Sequence, residues 1–76
     1  MGFDVEVDCI GLLCPLPVLR ARKVLAGMRR GEVLRVLADD AMAAVDLPHF
    51  CAHAGHGFLE ASPIDGGAAY LIRCGG

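Results

Sequence analysis

Apolar and acidic residues alternate at the start of the chain. Phe3, Val5 and Val7 interleave with Asp4, Glu6 and Asp8, the period-two pattern of a strand with one buried face. Cys9 to Leu13 then reads as a connecting loop, with Gly11 available for a backbone angle other residues avoid. From Pro15 to about Met28 the period changes. Val18, Ala21, Val24, Leu25 and Met28 fall on one side of a helix, while Arg20, Arg22, Lys23, Arg29 and Arg30 lie off that stripe. Gly31 is expected to stop the helix. Val33 to Ala38 is almost continuously apolar, broken only by Arg35, which predicts a central strand. Asp39 and Asp40 are good N-caps for a second helix over Ala41 to Ala54. Pro48 within it predicts a kink, or two short segments with Asp46 capping the second, and Gly55 and Gly57 end it. Phe58 to Ser62 is a third strand, Asp65-Gly66-Gly67 a hairpin turn, and Ala69 to Cys74 a fourth strand. In that last strand Tyr70 and Ile72 share one side, Leu71 and Arg73 the other.

The order is βαβαββ. The economical architecture is an α+β fold, a two-layer α/β sandwich with two helices on one face of a four-stranded mixed sheet, opened by a right-handed βαβ unit. No linker, repeat or low-complexity segment divides the 76 residues, so one domain over 1–76 is expected. Hydrophobic residues make up 55% of the chain and charged residues 21%, which excludes disorder. With three Phe, one Tyr and no Trp, the core must come from Val, Leu, Ile and Ala.

The net charge of −2 gives no global reason to bind nucleic acid directly. The uncharged, histidine-free run Cys9 to Leu19 is too short to span a membrane, and its upstream flank is acidic, unlike a signal peptide. The expected location is therefore the cytoplasm. Four cysteines without a secretion signal argue for free thiols over structural disulfides.

One short motif changes the picture. In Cys14-Pro15-Leu16-Pro17 the prolines suit the first turn of a helix, where backbone N–H groups lack partners. Cys14 is then the expected N-cap, its sulfur at the positive end of the helix dipole, with a lowered pKa. Cys51 and Cys74 read as small core residues. Cys9 reads as structural too, but lies close enough in sequence to serve as a resolving thiol for Cys14. His49, Cys51, His53 and His56 cluster, yet Cys51 points elsewhere on the wheel and no matching ligand pair exists, so no metal site is expected. A Cys–His dyad would need one of those histidines beside Cys14, and they are expected at the far end or rim. Leu16, Leu19 and Lys23 fall opposite the buried stripe. With Arg22, and with Leu12 and Leu13 unless these turn inward, they predict an apolar docking patch rimmed by positive charge.

The run Asp8-Cys9-Ile10-Gly11-Leu12-Leu13-Cys14-Pro15-Leu16-Pro17 resembles the signature of the TusA/SirA sulfur-carrier family, with its Asp, Gly and Cys-Pro-x-Pro. Arg22-Lys23, Gly31-Glu32, Ala38-Asp39-Asp40, Asp46-Leu47-Pro48, Phe50-Cys51 and Tyr70-Leu71-Ile72-Arg73 extend the likeness over nearly the whole chain. The resemblance implies the same βαβαββ sandwich and a sulfur relay. Cys14 would carry sulfane sulfur as a persulfide, with Asp8, Gly11, Pro15 and Pro17 as motif residues. No cofactor is implied beyond that transient sulfur. The implied donor is a cysteine desulfurase or rhodanese-like protein. The implied acceptor serves tRNA 2-thiouridine formation, molybdenum-cofactor synthesis or sulfur oxidation. An anionic persulfide suits a helix N-terminus, with the N–H groups of Leu16 and Val18 left to face it. Leu12, Leu13 and Leu16 make this motif more apolar than in many relatives, and Cys9 lies outside the core signature.

Two other readings stand beside the relay. Cys9 and Cys14 together would make a thiol redox switch. The basic helix would suit a regulatory binding module.

Overall fold

The structure, a computed structural model, describes residues 2–76. Its elements are β1 (Val5–Cys9), α1 (Leu16–Ala26), β2 (Val33–Ala38), α2 (Ala43–Ala54), β3 (Gly57–Ile64) and β4 (Gly67–Arg73). The sheet runs β1-β2-β4-β3, with β1 parallel to β2 and the other neighbours antiparallel. This is the expected βαβαββ sandwich, with β2 inside the sheet.

Alternation decides which face the helices cover. Leu34, Val36 and Ala38 of β2 and Tyr70 and Ile72 of β4 point into one core with Ala21 and Leu25 of α1 and Leu47 and Cys51 of α2. Leu25, Leu34, Leu47, Ile72 and Val36 are its largest fully buried side chains. Val5 and Val7 close the core at the β1 edge. On the open face the Arg35 guanidinium donates to Glu6 (2.7 Å) and lies 5.3 Å from the Phe3 ring centroid. Pro63 is tolerated because β3 is an edge strand, free to lack a donor on its outer side.

Several boundaries differ from expectation. Helix α1 ends at Ala26, before Met28, because Gly27 already takes the cap position and donates to the Val24 carbonyl. Gly31 sits instead at a positive φ of 92° in the turn that follows. Helix α2 is a single uninterrupted helix. Pro48 removes only the bond that would reach the carbonyl of Ala44, an exposed residue. Strands β3 and β4 run to the turn itself, where Ile64 pairs with Gly67 around Gly66 (φ 77°). Gly55, at φ 80°, ends α2, as the sequence indicated.

All four cysteines are free thiols. Cys9, Cys51 and Cys74 are buried in the core. Burial pushes the Cys51 thiol up to about 11. Its neutral form is therefore favoured in the folded state, so this contribution is complete below the ordinary thiol range and is lost as pH climbs through about 11. Denaturation midpoints are expected to fall between about pH 9 and 11, and to fall less steeply in Cys51→Ala. Equal slopes in the two proteins would reject this assignment.

Candidate functional site

Because β1 and β2 are parallel, their C-terminal ends lie side by side, and Cys9 pairs with Ala38. The loop after each strand therefore leaves the same edge of the sheet, the usual place for a site in such units. Residues 10–14 meet residues 39–42 there. Asp8 Oδ1 accepts from the N–H of Ile10 (2.9 Å), which starts the turn. Gly11 continues it at φ 85° and donates its N–H to Asp39 Oδ1 (2.9 Å). Asp40 clamps both loops: Oδ2 accepts from the Cys14 N–H (2.6 Å) and Oδ1 from the Met42 N–H (3.1 Å).

Cys14 is exposed. It is not the N-cap of α1. Pro15 occupies that position, and Pro17 is the second residue of the helix. The Leu16 N–H donates to the Leu13 carbonyl (2.8 Å), closing a turn before the helix, while the Cys14 N–H is drawn away to Asp40. Leu16 therefore does not offer its N–H to an anion at the sulfur, a second departure from expectation.

The sulfur itself faces a carboxylate. Cys14 Sγ–H donates to Asp46 Oδ2 at 2.9 Å. That hydrogen bond, then partial loss of solvent, then the negative charges of Asp46 and Asp40 push the Cys14 thiol up from its ordinary value. The expected lowering by the helix dipole is overturned, because an acidic partner touches the sulfur and the helix begins two residues later. Asp46 caps no second helical segment. It lies in the first turn of the intact α2 and reaches across to α1's entry.

Cys14, Pro15, Val18, Asp46, His49 and Phe50 line a cleft of about 260 Å³ between the two helices. His49 is thus near Cys14 and not at a far end. Asp46 and His49 are three residues apart on α2, so one face of that helix carries both to the cleft. The His53 ring packs against that of His49 at a tilt of 55°, with centroids 4.4 Å apart. His56 Nδ1 accepts from the Gly75 N–H (2.9 Å), away from the cleft. Among the described residues no group of three His, Cys, Asp or Glu is placed to hold a metal ion.

The remaining predicted residues fall into two groups. Leu16 and Leu19 are about half exposed (48% and 49%), and Arg22 and Lys23 are exposed on the same helix. Leu13, at 69%, joins them, while Leu12 turns inward against the core. Pro17 is buried and pins the first turn of α1 to the interior. Cys9 has no exposed surface, and burial pushes its thiol up, although Arg20 partly offsets this. Its burial removes the access that a resolving thiol needs.

Fold and site together define a small α+β domain that presents one thiol on a rim of apolar side chains. The family model for sulfurtransferase TusA matches residues 5–74. The sulfur carrier protein TusA of Allochromatium vinosum is 41% identical over 71 residues, covering 93% of each chain. A Neisseria meningitidis serogroup B protein with a provisional sulfur-carrier name is 53% identical over 67 residues, 88% of this chain and 90% of that one. The crystal structure of a SirA-like protein from Desulfitobacterium hafniense superposes with a TM-score of 0.80 at 31% identity, over 96% of this chain and all of that one. The chain belongs to the TusA sulfur-carrier family. Among the described residues, no helix is long and apolar enough to cross a membrane.

Proposed function

We propose that Cys14 accepts sulfane sulfur from a donor protein's persulfide, holds it as its own persulfide, and passes it to an acceptor protein. One observation carries the reading: of four cysteines only Cys14 is exposed, and the helix that follows it exposes Leu16, Leu19, Arg22 and Lys23. In the loading step the Cys14 thiolate attacks the outer sulfur of R–S–SH. A new Cys14 sulfur–sulfur bond forms, the donor's breaks, and its electron pair leaves on the donor as a thiolate. The proton lost by Cys14 and the one the donor thiolate takes up cancel. No external oxidant or cofactor is needed.

The donor class that fits is a cysteine desulfurase or a rhodanese-like protein in the cytoplasm, each of which bears such a persulfide. The acceptor would be a protein of tRNA 2-thiouridine formation, molybdenum-cofactor synthesis or sulfur oxidation. The test is intact mass after incubation with a cysteine desulfurase and cysteine. Wild type is expected to gain one sulfur atom, removable by a thiol reductant, and Cys14→Ser to gain none. Wild-type loading in Cys14→Ser would overturn the assignment. Full loading in Cys9→Ala would separate the relay from a Cys9–Cys14 redox switch.

A further inference from the structure

An activated thiol is ordinarily found beside a cation or a helix N-terminus. The cleft at Cys14 is built the other way. No Lys or Arg lines it; Cys14 shares it with Asp46 and His49, and Asp40 stands behind the Cys14 amide. The one ion pair among the described residues, Arg35–Glu6, belongs to the sheet, and neither residue lines the cleft. An ionised aspartate is an acceptor only, so the 2.9 Å bond from Sγ to Asp46 Oδ2 exists while sulfur keeps its proton and becomes a repulsion once the proton leaves.

We propose that Asp46 is a positioning residue that guards Cys14: it holds the proton on sulfur and so keeps the free protein in the unreactive thiol form. This rests on Cys14 being the working thiol of the proposed relay and names how that thiol is restrained. The upward displacement of the Cys14 thiol agrees with it. The consequence is selectivity. In the unbound carrier, small electrophiles and oxidants meet a thiol, and the thiolate that attacks a persulfide forms only against the Asp46 charge.

The groups facing the sulfur are Asp46 and His49 from α2 and Asp40 from the loop before it. From α1 only Pro15 and Val18 line the cleft, and neither is charged. The test is therefore a pH profile of Cys14 alkylation by iodoacetamide, read by mass on the free full-length protein with no sulfur donor present. Asp46→Asn is expected to move the profile to lower pH and to raise the rate at neutral pH several-fold. The same displacement is expected in a His49→Gln background. A profile that does not move, or moves to higher pH, overturns the guard, as does a displacement that disappears without His49. If Asp46→Asn does not fold, infrared spectra of the wild type decide. A Cys14 S–H stretch lowered by hydrogen bonding, absent from Cys14→Ser, is expected, and an unshifted band overturns the proposal. Alkylation needs no sulfur relay, so failure here and failure of sulfur loading are separate results.

Discussion

Gly67→Ala is expected to destabilise the domain by about 3 kcal/mol, the upper end of ordinary overpacking, and to lower Tm by roughly 15 °C for a chain of this size. A Cβ at Gly67 would be driven into the backbone carbonyl of Ala38 and against the Cα of Asp39. Neither can retreat easily. Ala38 is held between β1 and β4 through its pairing with Cys9 and Ala68. The strain also has a direction, because Asp39 and Asp40 follow directly and hold the amides of Gly11 and Cys14. Hydrogen exchange at those two amides is therefore expected to quicken by more than the global loss of stability explains. A melting temperature within about 3 °C of wild type would show that the hairpin can shift away from β2 at little cost.

Glutamate at both Leu16 and Leu19 is expected to reduce sulfur transfer from a donor protein by roughly thirty- to hundredfold. Two half-exposed leucines buried in a complex contribute about 2–3 kcal/mol, and the new charges would have to be desolvated as well. Because both side chains already face water, the melting temperature should change little. Alkylation of Cys14 by a small reagent should also be nearly unchanged. Transfer kinetics against a small-molecule control thus isolate docking. Equal losses in both assays would mean that the substitutions damage the thiol site itself, and an unaffected transfer rate would remove this face from the donor interface.

The parts of this molecule that the chain announces are those where one physical demand acts alone. Val5 to Asp8 alternates because a single face is buried, and the strand is found there; Phe3, expected on the same face, instead lies before the strand, exposed beside Arg35. The stripe from Val18 to Leu25 faces the core for the same reason. Leu12 and Leu13 are adjacent and chemically alike, and only the turn through Gly11 sends one inward and the other out. Cys14 was legible from its prolines, but its electrostatics were not. The helix dipole is the local influence on that sulfur, whereas its dominant neighbour, Asp46, lies 32 residues away in sequence. A signal for the missed residues did exist. Once β1 and β2 are taken as parallel, the Asp39-Asp40 loop must emerge beside the Gly11–Cys14 loop. The three-residue spacing of Asp46 and His49 then places both on one helical face.

The burial of Cys9, Cys51 and Cys74 beside an exposed Cys14 gives the native chain a use at the bench. A maleimide dye added to the folded protein should attach at one position without any engineering, and slowly, because Asp46 holds the proton on the Cys14 sulfur. Each unfolding event then uncovers three further thiols. Counting labels per molecule over time would clock the opening of the core, from a single protein carrying both its reporter and its own internal standard.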